Sequence, residues 1–512
     1  MKKLLCILFL ISCHFTQSQN KKSIPTAKTL DGFFTVDFLS INMPTNDLQI
    51  VNSGIDEDHM GFTGIHYNLK FNNFYTGLGM YGAVRGKRGG FFTLGVNAGY
   101  KSYVTDKLFI DTGIHFGGGG GAAAPDGGGA FILPHVNLGY QFENFSFTTG
   151  YSYINFFDAG NIKSHQLNIA LQVPLSFNYA NISHSEKEFD ARALKNSKWN
   201  KKSKRMSFML HLNNLSVEKS SIEPLLGNTI SLAGFEINSY ANDHWFYFAK
   251  FDGAYDGIRA GYMNILLGAG YHFSMNKNRT NILTKFGMGA GGGGGVDSQG
   301  GILVYPDISI EQRIANNVYL SVNKGLLMSP NSYFKTSTFG VGLKYYTNIN
   351  GVKDLEDKKR VNFKGFEVIV KQDAYLNAER GLNPTENLYQ ISVQLNYHLN
   401  ENIYLAGQTS FANFGNAGAY AEGIVGLGLQ TNYFMNDKIN LFIQGLAGGA
   451  GGGDISTGEG LIIKPSIGIN YKVNSNFALR SAAGYVSAKG GELSSPFINL
   501  GISYRLAFLS TK

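Results

Sequence analysis

Apolar and polar residues alternate strictly along several stretches of this chain. Residues 498–508, near the end of the sequence, place Ile, Leu, Ile, Tyr, Leu and Phe at every second position. Residues 94–101 alternate in the same way, with Asn97 and Lys101 on the polar side. A period of two predicts β-strands with one apolar and one polar face. The polar faces of the predicted strands carry Asn97, Lys101, Asn168, Lys344, Asn499 and Arg505.

Runs of this kind occur eight times in each of three consecutive units. In the first unit they lie near residues 33–42, 61–71, 74–84, 91–103, 108–117, 130–142, 145–156 and 165–179. In every unit the second, fourth and sixth connections are short, whereas the others are long. A soluble sandwich has no reason to keep this rule. An up-and-down membrane barrel has short turns on one side and long loops on the other.

The three units share a glycine-rich stretch between their fifth and sixth predicted strands. In each copy a glycine run leads to an aspartate, and an apolar run then leads to a proline. These positions are predicted to form structural hairpins, because glycine permits bending or close backbone approach and proline interrupts a strand ladder. We expect the hairpins to fold over the barrel mouth or to dock against another unit. Their residues are Gly117, Gly118, Gly119, Gly120, Gly121, Asp126 and Pro134; Gly291, Gly292, Gly293, Gly294, Gly295, Asp297 and Pro306; and Gly448, Gly449, Gly451, Gly452, Gly453, Asp454 and Pro465.

The repeat divides the chain into six segments. Residues 1–18 read as a signal peptide cleaved near Ser18–Gln19, with a lipoprotein signal at Cys13 as the alternative. The three repeats are predicted at 30–180, 205–348 and 362–509, joined by charged linkers at 181–204 and 349–361. Both cysteines, Cys6 and Cys13, lie in the leader, so no disulfide is expected in the exported chain.

The pattern of leader, alternating strands, loop lengths and an aromatic-ended last strand, INLGISYRLAF, resembles the outer-membrane β-barrel proteins of Gram-negative bacteria. The resemblance implies an all-β, transmembrane, antiparallel up-and-down barrel located in the outer membrane. It also implies two partners, outer-membrane lipid and the barrel-insertion machinery, and other envelope proteins are further candidates. Two assemblies are compatible with the repeats: three tandem eight-stranded barrels, or one barrel of about 24 strands. The length of the linkers favours separate barrels.

Composition and charge change this picture little. The 512 residues include 65 Gly, 28 Tyr and 38 Phe but only 2 Trp, so Tyr and Phe would have to form the interfacial girdles. The formal charge is +8. Part of that charge lies in residues 199–205, a solvated linker or a contact with anionic lipid head groups. Nothing points to nucleic acid as a partner.

No recognisable catalytic chemistry emerges from the motifs. The glycine runs lie between predicted strands and lack the following lysine of a phosphate-binding loop, which argues against nucleotide binding. The three aspartates suit turns, with a calcium site at the outer face as the alternative. Five histidines crowd the first unit, where a Ser–His pair is conceivable, but the chain has neither GxSxG nor HExxH. We therefore expect no enzyme activity, no cofactor, no metal and no catalytic residue.

The sequence predicts an integral outer-membrane protein with a structural or surface-display role. Three alternatives stay open at this point: a wide pore or transporter made by one 24-stranded barrel, a lipid-modifying enzyme of the outer leaflet, and a secreted soluble chain of β-domains.

Overall fold

The computed structural model describes residues 24–44, 55, 57–258 and 260–511. The predicted signal peptide, the cleavage site and Cys13 lie outside these residues. The described chain is almost entirely β-structure, with one short α-helix, α1 (Ala191–Lys195). Among the described residues no helix is both long and apolar enough to cross a membrane.

The strands form three consecutive sets of eight. Barrel 1 contains β2 (Gly32–Asn42), β3 (His59–Phe71), β4 (Phe74–Arg85), β5 (Phe92–Tyr103), β6 (Leu108–Gly120), β7 (Phe131–Gln141), β8 (Ser146–Phe156) and β9 (Lys163–Pro174). Barrel 2 contains β12 (Lys204–Lys219), β13 (Thr229–Tyr240), β14 (Trp245–Asp256), β15 (Met263–Met275), β16 (Thr280–Gly292), β17 (Ile302–Ala315), β18 (Val318–Met328) and β19 (Lys335–Ile349). Barrel 3 contains β20 (Arg360–Ala378), β21 (Glu386–His398), β22 (Ile403–Phe414), β23 (Ala421–Gln430), β24 (Ile439–Gly451), β25 (Leu461–Lys472), β26 (Phe477–Ala488) and β27 (Ser494–Thr511).

Each set closes on itself by antiparallel pairing of its first and last strands. The strand pairs β2–β9, β12–β19 and β20–β27 complete the three barrels. This confirms the prediction of three eight-stranded barrels, and the alternative of one 24-stranded barrel is wrong. The physical reason is that the last strand of each set finds its partner within the set, which leaves no open edge for the next unit.

Strands outside the barrels tie the linkers together on the side of the short turns. The predicted run 165–179 is divided, because β9 ends at Pro174 and β10 (Phe177–Tyr179) pairs instead with β1 (Lys28–Leu30). In the first linker, β11 (Glu188–Asp190) pairs with the start of β20 and leads directly into α1. The linkers are thus ordered by backbone pairing rather than being extended tethers.

The two linkers pack into one small structure, which we call the linker cap (residues 181–204 and 349–361). Its apolar centre includes Phe189, Leu194, Trp199 and Val352, and it continues onto Leu509 of β27. Trp199 is fully buried and donates a hydrogen bond from Nε1 to the backbone oxygen of Pro25, 2.7 Å away. The basic stretch that begins at Trp199 is therefore anchored by its tryptophan, while Lys201 and Lys202 remain exposed.

The barrels have polar interiors and apolar exteriors. The predicted interior residues are all buried, namely Asn97, Lys101, Asn168, Lys344, Asn499 and Arg505. On the outside, Leu167 is 73% exposed, Leu500 65% and Ile467 61%. Exposed apolar residues recur along the strands of all three barrels, and a transmembrane barrel presents a surface of this kind to lipid.

Buried ion pairs hold the middle of barrels 2 and 3. In barrel 2, Lys285 Nζ lies 2.9 Å from a Glu236 oxygen and 3.0 Å from an Asp307 oxygen. In barrel 3, Lys464 Nζ lies 3.1 Å from Asp373 and 2.9 Å from Glu422. Since each lysine contacts two carboxylates, its charge is compensated inside the barrel, as a buried ion requires.

Apolar side chains fill the barrel mouths on the side of the long loops. In barrel 1 the mouth holds Ile41, Met60, Phe62, Phe131 and Phe156, all almost fully buried. Equivalent clusters occupy barrels 2 and 3. Each barrel is therefore a packed body whose polar interior is covered by an apolar layer just below the glycine-rich hairpins.

Candidate functional site

The glycine-rich hairpins lie where the three barrels meet. Their glycine runs form the ends of the fifth strands, which stop at Gly120, Gly292 and Gly451. We call the three segments hairpin 1 (residues 117–134), hairpin 2 (residues 287–306) and hairpin 3 (residues 445–465). All are on the side of the long loops, as the alternation of connections predicts.

The prolines of the three hairpins occupy the same place in the sixth strands. Pairing between the sixth and seventh strands skips two residues in each barrel: Leu133–Pro134, Tyr305–Pro306 and Lys464–Pro465. Proline cannot donate a backbone hydrogen bond, so a ladder is expected to open there. Each sixth strand is thus fully paired only with its own glycine-bearing fifth strand near the hairpin.

Every hairpin packs against the loop between the third and fourth strands of another barrel. Hairpin 1 lies against residues 412–418 of barrel 3, hairpin 2 against residues 83–90 of barrel 1, and hairpin 3 against Ala254, Ala260 and Gly261 of barrel 2. The contacts therefore run from barrel 1 to 3, from 3 to 2 and from 2 to 1. This is a head-to-tail arrangement that closes after three steps, a pseudo-threefold ring.

One glycine in each hairpin shows why a side chain is excluded. Gly129, Gly301 and Gly460 have φ of +94°, +93° and +110°, which disfavours any residue with a Cβ. An added Cβ would lie 2.6 Å from the Ala412 oxygen at the first position and 2.3 Å from the Ala83 oxygen at the second. At the third the nearest atom would be the Ala450 oxygen of the same barrel at 2.9 Å, followed by the Ala254 oxygen of the neighbouring barrel at 3.2 Å. Ala412, Ala83 and Ala254 occupy the same place in their three barrels, so the neighbour's backbone stands where a side chain would be.

Backbone hydrogen bonds reinforce two of the three docking contacts. The amide of Gly89 in barrel 1 donates to the oxygen of Gln299 in hairpin 2 at 2.5 Å. The amide of Gly418 in barrel 3 donates to the oxygen of Gly127 in hairpin 1 at 3.2 Å. Next to the latter, the Gly415 amide donates to the carboxylate of Asp158 in barrel 1 at 2.8 Å.

Arginines fasten two hairpins within their own barrels. Arg88 is fully buried and donates to the backbone oxygens of Ala122 and Ala123 at 2.7 and 2.8 Å. In barrel 3, Arg380 donates to the Gly453 oxygen at 3.4 Å and pairs with Glu386 at 2.6 Å. Hairpins 1 and 3 are thus fixed from inside by a charged group and from outside by the neighbouring barrel.

The three recurring aspartates have different surroundings. Asp126 is buried and accepts a hydrogen bond from the Gly121 amide at 2.7 Å. Asp297 accepts a hydrogen bond from the Ser221 hydroxyl. Asp454 accepts hydrogen bonds from the amides of Leu382 and Asn383, the second at 2.6 Å. These are loop-fastening contacts, and within the described part of the chain no cluster of three or more His, Cys, Asp or Glu could hold a metal.

Burial raises the pKa of Asp126 to about 7, despite the opposing hydrogen bond from Gly121 and the charge of Arg88. Burial alone would also raise the pKa of Asp454. Hydrogen bonds from Asn383 and the Leu382 amide, together with the charge of Arg380, outweigh burial and lower it. Equivalent positions in the repeat therefore respond to pH in opposite directions.

The crowded histidines of the first unit lie mainly in the interior of barrel 1. His66 lies 3.4 Å from Asp37 and 3.2 Å from the Asn97 amide, and His115 contacts the same Asn97. His135 lies 3.6 Å from Asp111. Their partners are carboxylate and amide groups, an arrangement that satisfies buried polar groups and contains no activated nucleophile.

An apolar cluster lies below the hairpins on the axis between the barrels. Its buried members are Phe92 and Leu94 of barrel 1, Ile265 and Ala290 of barrel 2, and Val393 and Phe411 of barrel 3. They come from strands β5, β15, β16, β21 and β22, whose outer faces point toward one another. The three barrels therefore contact one another in two layers. Apolar side chains pack between the strands, and backbone atoms of the glycine-rich hairpins pack against the loops of the neighbouring barrels.

Several residues of this junction were not singled out from the sequence. They are one glycine with positive φ in each hairpin, Gly129, Gly301 and Gly460, and the alanines of the neighbouring barrels whose backbone these glycines approach, Ala83, Ala254 and Ala412. A signal for the receiving loops existed, since small residues recur after each third strand in GAVRGKRGG, GAYDGIRAG and FANFGNAGA. The sequence offered no sign that these residues meet a hairpin of another unit.

A valine at Gly301 is expected to loosen hairpin 2, and Gly295 provides a matched control. Both glycines have positive φ, +93° and +79°, but only at Gly301 would a Cβ meet the neighbouring barrel, since nothing lies within 4 Å of it at Gly295. The left-handed strain of about 1–2 kcal/mol is common to both variants. The clash should cost Gly301→Val roughly a further 1–3 kcal/mol in the free energy of unfolding. Denaturant titration of the refolded full chain measures this difference, and equal losses in the two variants would contradict the docking contact.

Asp126 should make the free energy of unfolding fall as the pH rises. Because its folded pKa of about 7 exceeds the ordinary value of 3.8, its contribution is complete below about pH 4 and is lost as pH rises through about 7. Asp126→Asn keeps the acceptor for the Gly121 amide and should remove that slope from the thermal midpoint measured between pH 4 and pH 8. A wild-type slope that survives Asp126→Asn would refute the assignment of that slope to Asp126.

Asp454→Asn should have an effect of the opposite sign. It should destabilise the protein above about pH 4 and lose this effect in acid, measured by the same thermal midpoint.

Comparisons with known proteins identify no family. No family model matches the chain, and no curated protein is similar to it. Among solved structures, the siderophore receptor PirA from Pseudomonas aeruginosa aligns over 94% of this chain and 81% of its own, with 8% identity and a TM-score of 0.28. OpdQ from the same organism and OccAB2 from Acinetobacter baumannii each align over 94% of this chain and 98% of their own, with 8% and 10% identity and TM-scores of 0.22 and 0.21. Similarity at this level establishes neither a shared strand arrangement nor a shared function.

Proposed function

We propose that this chain is an integral outer-membrane protein whose three fused barrels form a rigid structural or surface-display platform. The observation that carries the proposal is the inverted distribution of polarity on closed barrels. Charged residues such as Lys285 and Lys464 are buried inside, while Leu167, Ile467 and Leu500 are exposed outside. Lipid is the solvent in which such a surface is stable, and closure of each sheet satisfies the backbone there.

Exposed aromatic side chains mark one border of the proposed membrane-facing belt. A set of exposed aromatic residues lies at the strand ends next to the short turns, where an interfacial girdle is expected. It contains Phe71, Phe74, Tyr103, Phe142, Phe145, Trp245, Tyr247, Phe273, Tyr471 and Phe477. With short turns facing the periplasm, the linker cap lies in the periplasm and the hairpin ring faces outward.

The display role follows from how the long-loop side is built. Backbone contacts among three barrels hold the hairpins, and buried apolar layers support them from below. Such a surface is rigid and can present neighbouring loops in fixed positions. The loop of residues 329–334, for example, carries Tyr333 with 76% exposure.

A second candidate function is the passage of small solutes through individual barrels. The observation that favours it is incomplete hydrogen bonding within two lumens. Asn238 in barrel 2 and Gln390 in barrel 3 are fully buried, yet their side-chain oxygens and nitrogens have no hydrogen-bond partner among the residues that the structure describes. Buried polar atoms of this kind are usually satisfied by water, and connected waters would make a narrow path.

Orientation can be tested with an epitope tag on intact cells. A tag inserted at Tyr333, in a long loop, should bind antibody on whole cells because that loop faces outward. A matched tag in the short turn at residues 276–278 should bind only after the outer membrane is permeabilised. The tagged protein should also stay with membranes in alkaline carbonate. Release by carbonate or reversed labelling would overturn the proposal.

Single-channel recording distinguishes the two candidate functions. The packed mouths and paired charges predict no steady conductance for the full chain in planar bilayers, because moving an ion past them requires breaking buried contacts. Steady conductance that is absent from protein-free bilayers would instead support solute passage and count against a purely structural role.

A further inference from the structure

The three seams between the barrels share one geometry. In each, the third strand of one barrel packs against the fifth strand of the next: β4 against β16, β14 against β24, and β22 against β6. A bulge near the start of the second strand fixes the register in every barrel, after Gly61, Ser231 and Tyr389. Positions counted from the bulge can therefore be compared from seam to seam.

Two seams are filled by phenylalanine. Between barrels 2 and 3, the cross-strand pair Phe235 and Phe251 stacks with ring centroids 4.7 Å apart and an angle of 18° between the planes. Between barrels 3 and 1, Phe411 is 3% exposed and belongs to the axial cluster. An aromatic ring thus occupies the space between the curved barrel walls.

The seam between barrels 1 and 2 carries its ring at a different position, Phe92, which pairs with Gly82 across strands and lies beside Ala290. The pair equivalent to Phe235 and Phe251 is Ile65 and Met80, and the residue equivalent to Phe411 is Gly82. The barrel walls still touch at one point, since a Cβ on Gly82 would lie 2.6 Å from the Cβ of Ala290. Beside this contact the smaller side chains leave the two walls apart.

A cavity of about 230 Å³ occupies this space. We call it the seam crevice. Ile65, Met80 and Val84 line it from barrel 1, and Leu267, Met288 and Ile302 line it from barrel 2. Apolar cavities of about 150 Å³ in proteins stay free of water and can bind a small hydrocarbon such as benzene. An apolar space of this size therefore favours hydrocarbon over water.

The seam crevice is continuous with the apolar exterior. Met288, one of its lining residues, is 47% exposed, and Phe286, two residues away on the same face of β16, is 55% exposed. The crevice therefore opens onto the surface that lipid covers in the proposed orientation. Hydrocarbon chains are the most abundant apolar molecules at that surface.

We propose that the seam crevice holds an acyl chain of a membrane lipid, one per protein, as a structural ligand between barrels 1 and 2. The inference rests on the proposed membrane location. A flexible chain fills an irregular apolar gap that would otherwise lose packing contacts on both walls. In the seam between barrels 2 and 3 the pair Phe235 and Phe251 occupies the positions that Ile65 and Met80 hold here.

The test uses full-length protein in vesicles of phosphatidylethanolamine that carries a photoreactive diazirine on the acyl chain. Illumination should label the buried crevice residues Ile265 and Ala290 and should also label belt residues such as Leu167. After exchange into detergent, native mass spectrometry should show one lipid retained per chain. The variant Ile65→Phe/Met80→Phe copies the aromatic pair of barrel 2, and it should lose both the crevice label and the retained lipid.

Ile169→Phe/Leu171→Phe, on the exposed face of β9 away from any seam, is the matched control and should keep both signals. If the double crevice variant does not refold, Leu267→Phe fills the same space from the other wall and has the same expected result. Belt labelling without crevice labelling, or lipid retention that survives filling, would overturn the acyl-chain site alone. Absence of belt labelling as well would overturn the membrane location itself.

Discussion

Closure of each sheet by its own first and last strands is the constraint on which this structure depends. Once β2 has paired with β9, β12 with β19 and β20 with β27, each barrel is closed, and the start of β20 that extends beyond the barrel is paired with β11 of the linker cap. The three barrels therefore contact one another through side chains, hairpins and loops. Closure also separates two surfaces, so alternation along each strand sends lysines and asparagines inward and leucines outward. The packed interiors, the lipid-facing belt and the seams between barrels all follow from that separation.

The ring of barrels uses the one kind of contact that closed barrels leave available. Apolar side chains in the seams pack without directional bonds, so they supply little orientational specificity. The hairpins supply it, since left-handed glycines such as Gly301 bring bare backbone against the carbonyl of Ala83 and fix the rotation of one barrel on another. The linker cap adds a second point of attachment at the opposite end.

Much of the fold could be predicted from the sequence, and the part that could not has a common cause. A period of two reveals that residues 94–101 form a strand and which side faces inward, so the interior position of Lys101 was predictable. It does not reveal the strand's partner, so the prediction of three separately closed barrels rested on the length of the linkers alone, and the structure confirms it. Similarly, the glycine runs indicated close approach of some backbone, but not that Ala412 of another unit provides it. In the linkers, many charges obscured Phe189, Leu194 and Trp199, which form the centre of the cap.

Fusion of the three barrels into one chain has a consequence that the seam crevice illustrates. In an assembly of three identical chains, any substitution that opens or fills a seam appears three times, and the symmetry is preserved. In a covalent ring each seam can change alone. The three seams here carry different pairs at the same position, and the crevice beside Ile65 and Met80 belongs to one of them. The ring can thus keep pseudo-threefold packing while one of its three seams holds a site that the other two do not have. Such a site distinguishes one side of the ring from the others in the membrane plane, which the three equivalent seams of a symmetric trimer cannot do.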